Sequence, residues 1–191
     1  YLWITEFNKN TPSELHALLN HSLIEKMLLS VRGNPGGLLD SVGKICAFFA
    51  DNPDTIVVML KSRTQEKIFR ARDFEKEYLG ILKHYKKKVV VLIDDRSASA
   101  SEIFANCMRE ELEAPLVGEQ SYGKGTVQTT IDLNNNDLLT ITTEEYFLGK
   151  NKARVDKIGI TPDYLVKLPD SLENLEIDIP LIEGLHILLN Q

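Results

Sequence analysis

The sequence predicts an α/β fold, and three observations carry that reading. Short apolar runs of strand length alternate with helix-patterned segments of about ten residues, the arrangement of α/β units around a largely parallel sheet. Val89 to Ile93 is an unbroken apolar run, the pattern of a strand buried on both faces. The runs ending at Val31 and Ile93 each pass into a turn, Arg32-Gly33-Asn34-Pro35-Gly36-Gly37, which cannot continue a strand, and Asp94 to Ala98.

Taken in order, residues 1 to 7 alternate weakly and read as a short strand. Thr11-Pro12 opens a helix, because proline is accepted at a first helical position and Leu15, Leu18, Leu19 and Leu23 recur at helical spacing. Met27 to Val31 is the next strand, Leu39 to Phe49 a second helix stopped near Asn52-Pro53, and Thr55 to Leu60 another strand. Residues 64 to 72 are mixed and charged, and a helix is expected from Asp73 to Tyr85. After Val89–Ile93 the chain turns through Asp94 to Ala98, and Glu102 to Leu112 is helical. Strands are expected at Leu116 to Gly118, Thr126 to Leu133 and, after the polar turn Asn134-Asn135-Asn136-Asp137, Leu138 to Thr143. Gly149 to Pro162 reads as loop.

Of the 191 residues, 43% are hydrophobic and 26% charged, an ordinary globular composition. The length suits one domain over residues 1–191, with no repeat, low-complexity tract or linker. A net charge of −6 argues against a nucleic-acid partner, which calls for a basic footprint. The dense basic run, Lys86-Lys87-Lys88, directly precedes an apolar strand and keeps its end solvated. No apolar stretch approaches the ~20 residues that cross a bilayer. The chain opens at Tyr1-Leu2-Trp3-Ile4 without a signal-like segment and reads as an excised domain. Cys46 and Cys107 sit in apolar helical contexts and are expected to be buried free thiols, since two cysteines form neither a disulfide framework nor a metal-ligand pattern.

The chemistry concentrates in Asp95-Arg96-Ser97-Ala98-Ser99-Ala100-Ser101-Glu102. A buried strand delivers the chain to small residues and a helix begins at once, which presents a side chain beside the N–H groups of the helix start. A serine nucleophile needs both an exposed hydroxyl and donors for the oxyanion. Ser99 and Glu102 equally fit the Ser-x-x-Glu capping box of an ordinary helix. None of His16, His21, His84 and His186 stands in a triad context. A lysine can replace histidine when it is neutral, which requires lowering an ordinary lysine from about 10.4 to about 7–8 through burial or nearby positive charge.

Lys124, in Tyr122-Gly123-Lys124-Gly125-Thr126-Val127-Gln128, is the candidate base. In an extended segment Lys124, Thr126 and Gln128 share one face, so Gln128 is placed to orient the amine; the alternative is a solvated lysine in a glycine turn. Gly118 to Lys124 also matches the opening of a phosphate-binding loop. That reading fails, because Gly125 stands where Ser or Thr should hold magnesium and a strand pattern follows instead of a helix. A second glycine-rich turn, Arg32-Gly33-Asn34-Pro35-Gly36-Gly37, either supplies an oxyanion donor or simply joins strand to helix.

Together, Val31 to Asp40, Ser97 to Ile103 and Gly123 to Gln128, in this order and spacing, closely resemble the carboxy-terminal processing (tail-specific) serine peptidases. The likeness covers about residues 1 to 167 and includes Gly159-Ile160-Thr161-Pro162-Asp163. The resemblance implies Ser99 as nucleophile, Lys124 as general base and Gln128 as its assistant. It implies the backbone N–H groups of Ala100 and of one glycine of the Gly36-Gly37 pair as oxyanion donors. It also implies a crotonase-like or ClpP-like core with additional β-strands, protein or peptide substrates cut near C-terminal tails, no metal or organic cofactor, and a place in a bacterial cell envelope. The sequence departs from the family at Ser30, where members often carry Asp, and at Glu110, read as a helix surface residue. The family's PDZ domain is missing from this chain, and residues 168–191 form a C-terminal extension with little of the likeness. A non-catalytic peptide- or lipophile-binding module on the same fold, and a protease latent until its missing domain is present, are the alternatives.

Overall fold

The computed structural model describes residues 1–20, 24–133, 137–167 and 177–191. The chain runs through β1 (Leu2–Trp3), α1 (Thr11–Asn20), β2 (Met27–Ser30), α2 (Leu39–Phe49), β3 (Ile56–Lys61), β4 (Glu66–Arg70), α3 (Ala71–Phe74) and a 3-10 turn at Lys83–Tyr85. It continues through β5 (Val89–Ile93), α4 (Ala100–Leu112), β6 (Leu116–Gly118), β7 (Thr126–Leu133), β8 (Asp137–Leu148), β9 (Ala153–Arg154), β10 (Tyr164–Leu165) and α5 (Ile179–Leu189). The expected Leu23, His21, the Asn134–Asn136 turn and residues 168–176 of the C-terminal extension lie outside the described residues.

One sheet has the order β1-β2-β5-β6-β10 with every neighbouring pair parallel. Its inner strands β2, β5 and β6 are buried and largely apolar because both of their faces are covered, while β1 and β10 form its more exposed edges. Side chains alternate across a strand, so Leu29, Val89, Val91 and Ile93 enter the main core with α2 and α4. Leu28, Val90, Leu92 and Val117 pack against Leu188 of α5 on the other face. The second sheet, β4-β3-β8-β7, is antiparallel, so the largely parallel sheet expected from sequence is only half of the β-structure. Beyond its contact with β3, β8 continues with β7 as a two-stranded ribbon exposed on both faces.

Two further expectations are corrected. Residues 66–70 form β4, an edge strand whose Glu66 and Lys67 are exposed. Residues 73–85 do not form one helix: α3 ends at Phe74, and Gly80 turns the chain at φ +68°. The segment instead closes the end of α2, with Gly80 N–H donating to the Ala47 carbonyl (2.9 Å) and Leu82 N–H to the Phe48 carbonyl (2.8 Å). Its apolar residues, helical in spacing, are used to cover that helix end; Tyr78 lies edge-on to Phe48.

Candidate active site

Three loops leave the carboxyl ends of β2, β5 and β6, the place where open α/β sheets bind ligands. The 32–37 loop leads to α2, the 94–99 loop to α4, and the 119–125 loop to β7. Buried polar side chains tie the first two together. Asn34 donates to the Ile4 carbonyl (2.9 Å) and its own carbonyl accepts from Ala98 N–H (3.1 Å) and Ser101 Oγ (2.9 Å). Ser97 Oγ donates to the Val31 carbonyl (2.8 Å), and Asp94 accepts from Gly33 N–H (2.9 Å).

Ser99 sits on the last residue of this turn at φ 57° and ψ −116°. A non-glycine residue in that region costs about 1–3 kcal/mol and persists only where its surroundings enforce it. Here α4 starts two residues earlier than expected, at Ala100, and Glu102 accepts the Ser99 N–H (2.8 Å). That is the carboxylate half of the capping box read from sequence. The first turn of the helix closes through Glu102 N–H to the Ser99 carbonyl (2.9 Å), and the Ser99 side chain lines a cavity of about 450 Å³.

The glycine loop closes on the same point. A Cβ on Gly36, at φ +109°, would stand 2.8 Å from Ser99 Cβ and 3.0 Å from the Ala100 nitrogen, so only glycine fits. The Gly36 N–H is already engaged by Asn34 Oδ1 (2.8 Å). Among the described residues the N–H groups of Gly37 and Ala100 have no hydrogen-bond partner, and both residues line the cavity. Of the glycine pair, Gly37 is therefore the one with a donor to offer.

Lys124, Thr126, Gln128 and Thr130 line the same cavity, which Leu38, Leu39, Leu60 and Ile103 complete. Lys124 and Gln128 are both exposed, and the Lys124 ammonium has no hydrogen bond or ion pair among the described residues.

Sequence reasoning gave Glu102 only a local role, and the structure gives it a central one. Its carboxylate is buried and accepts from Ser121 Oγ (2.6 Å) and Gly123 N–H (2.8 Å) at one oxygen. The other oxygen accepts from Ser99 N–H, Lys124 N–H (3.1 Å) and Tyr146 Oη (3.3 Å). One side chain thus fixes both the turn that presents Ser99 and the turn that presents Lys124. Tyr146, buried on β8, was not predicted; its phenol also donates to the Lys124 carbonyl, and its N–H donates to the Gly125 carbonyl (2.9 Å). Burial and then the charge of Glu102 push that phenol well above the usual tyrosine range, so it remains a donor.

Other expected residues lie elsewhere. His16 packs on Tyr78 with ring centroids 4.5 Å apart, His84 on Tyr85 at 4.3 Å, and His186 is exposed on α5; none lines the cavity. Cys46 and Cys107 are buried and free, and contact with Cys46, with burial, holds the Cys107 thiol well above its ordinary value. Lys86 and Lys87 reach Glu113 at 3.0 and 3.4 Å. Glu110 is half-buried rather than a plain surface residue and accepts from Lys150 N–H (3.2 Å) beside Gly149. Ser30 is buried and its hydroxyl accepts from the Arg32 N–H and Nε (3.4 Å each), supporting the loop. Among the described residues no group of three His, Cys, Asp or Glu is placed to hold a metal.

The chain has relatives among known proteins. The chain is 34% identical over 169 residues to a probable CtpA-like serine protease of Staphylococcus saprophyticus, covering 87% of this chain and 33% of the relative. It is 35% identical over 176 residues to a carboxy-terminal-processing protease of Bartonella bacilliformis, covering 88% and 39%. The chain therefore spans between a third and two fifths of these relatives. Among solved structures, the photosystem II D1 C-terminal processing protease superposes with a TM-score of 0.72 at 24% identity, over 96% of this chain and 45% of that one. A lipoprotein from Streptococcus agalactiae superposes equally, with a TM-score of 0.72 at 16% identity, over 99% and 65%. These two show the shared α/β fold. The model of peptidase family S41 matches residues 1–166, and the chain belongs to that family.

Proposed function

We propose that this chain is the catalytic part of a serine endopeptidase of the carboxy-terminal-processing type, with Ser99 as nucleophile and Lys124 as base. The observation that carries the reading is one cavity lined by Ser99, Lys124, Gln128 and the two unpartnered N–H groups of Gly37 and Ala100. In the reaction, Lys124 Nζ takes the Ser99 Oγ proton as Oγ attacks the substrate carbonyl carbon. The oxyanion accepts from the Gly37 and Ala100 N–H groups. The protonated lysine then gives its proton to the leaving amine, and water hydrolyses the acyl ester with Lys124 again as base. Gln128, which lines the same cavity as Lys124, orients the amine. No step calls for a metal or an organic cofactor. The same reading includes substrates cut near protein tails, a bacterial envelope location in keeping with the bacterial relatives, and a crotonase-like or ClpP-like core, supported by the parallel sheet covered on both faces. Among the described residues no helix is long and apolar enough to cross a membrane.

The exposure of Lys124 favours a second, compatible reading: the site is latent in this chain. A lysine base needs to leave water, and here a substrate filling the cavity, or a further part of a longer protein, supplies that cover. Cleavage of an unstructured protein tail that is lost in Ser99→Ala tests the first reading. Ser99-dependent cleavage seen only in a longer chain identifies the second.

A further inference from the structure

The C-terminal helix α5 lies outside residues 1–166 that the family model matches, yet it is fastened to the strand that launches the glycine loop. Lys26, just before β2, donates to the Leu188 carbonyl in the last turn of α5 (3.0 Å). Just after β2, the Arg32 guanidinium forks onto Asp178, the N-cap of α5, at 2.7 and 2.6 Å. The helix therefore runs back along β2 and holds both of its ends. Between them Gly184 is pressed onto the sheet, where a Cβ would come within 2.9 Å of both Leu28 and Leu92.

The fork is itself held from both sides. Asp178 Oδ1 also accepts the Leu181 N–H (3.0 Å), and the paired Arg32 holds the carboxyl below its ordinary range. Ser30 Oγ meets Arg32 Nε (3.4 Å), and Trp3 Nε1 donates to the Arg32 carbonyl (2.9 Å). A bidentate Arg–carboxylate pair fixes direction as well as distance. Arg32 is the first residue of the loop that ends in Gly36-Gly37, and the next residue, Gly33, is held by Asp94.

Building on the proposed Ser99 chemistry, we infer that Asp178 is a positioning residue for the reaction: through Arg32 it anchors the glycine loop to a rigid helix and so aligns the oxyanion donor. Asp178→Asn is the informative variant, because asparagine caps a helix as well as aspartate but does not offer Arg32 a charged fork. The expected result is a fall in kcat of about tenfold with KM within about twofold, since small misplacements at a reacting centre are costly. Asp178→Glu, which keeps a carboxylate, recovers most of the rate. Leu188→Ala loosens α5 without touching the pair; it lowers the melting temperature and leaves kcat unchanged.

A second readout does not depend on turnover. Hydrogen exchange at the Gly36 amide, bonded to Asn34, and at the Leu38 amide, bonded to the Phe7 carbonyl, rises about tenfold in Asp178→Asn and not in Leu188→Ala. The inference is overturned if Asp178→Asn matches wild type in both kcat and amide protection, or if Leu188→Ala reproduces its loss of kcat. Absence of Ser99-dependent cleavage from this chain and from a longer one alike would refute the proposed function instead, and amide exchange alone would then decide whether Asp178 holds the loop.

Discussion

Asn34, Ser97, Ser101 and Glu102, which hold the Ser99 side of the cavity, are between 0% and 1% exposed, whereas Lys124 and Gln128 across from them stand in solvent. The proposed nucleophile and the free N–H groups are set by loops between parallel strands and buried helices, and a network of satisfied polar groups holds them. The proposed base hangs from a turn that enters β7, an edge strand that goes on into a ribbon exposed on both faces. Glu102 is the main bond between the two sides. On the proposed chemistry, such a site has its oxyanion donors and serine preorganised, while its base waits for a cover over the ribbon.

Variants can break that contrast in turn. Ser99→Ala has the largest effect on activity, a fall of at least about 10³-fold in kcat/KM, as for other serine nucleophiles; its stability stays within about 1 kcal/mol of wild type, because the backbone turn is kept and only a capping hydroxyl is lost. Glu102→Gln strikes both sides at once. A carboxamide presents donors of its own to a site built of donors, so at least two of the Ser99, Gly123, Lys124 and Ser121 contacts lose their acceptor. Denaturant titration should show a loss of about 3 kcal/mol, with cleavage lowered even under conditions where the variant is fully folded.

Gly36→Ala tests the rigid side alone. Its Cβ has no room against Ser99 Cβ and its φ of +109° is unfavourable for alanine, so about 1–3 kcal/mol of stability is lost and cleavage falls about 100-fold as the donors shift. Gln128→Ala tests the open side. Stability should remain within about 0.5 kcal/mol, as for exposed positions, and kcat should drop by about tenfold or less with the loops unaffected in amide exchange.

The smallest effect is one of pH. Because Arg32 lowers the carboxyl of Asp178 in the folded state, the pair's contribution is complete above the ordinary aspartate value of 3.8 and is lost as pH falls through the lower folded value. Comparing the acid limb of unfolding in wild type and Asp178→Asn isolates it, and the two curves should converge at the acid end.

The two sides also differ in how far they could be read from the amino acids. The loops after β2 and β5 were legible because each ends a run of buried apolar residues and is punctuated by glycine or small residues, a local signal. The Ser-x-x-Glu pattern revealed one bond of Glu102, to the Ser99 N–H; its bonds to Ser121, Gly123 and Lys124 join loops about twenty residues apart, and local pattern carries no trace of them. Tyr146 gave no signal at all, being one aromatic residue in a strand that continued past its predicted end. Residues 73–85 misled because helical spacing of apolar residues also serves a segment that wraps a helix end, and the tertiary bonds to Ala47 and Phe48 decided between the two. The choice of Gly37 over Gly36 as donor needed the Asn34 side chain in place.

The central claim, that Ser99 is a nucleophile activated by Lys124 across this divided cavity, is tested most directly by the rate at which a fluorophosphonate labels the protein, with the modified residue located by peptide mapping. The expected result is a single label on Ser99, slowed by about 10²-fold or more in Lys124→Met while the amides of the 32–37 and 94–99 loops keep their protection. Labelling of Ser99 at the same rate without Lys124, or a label on another residue, would contradict it.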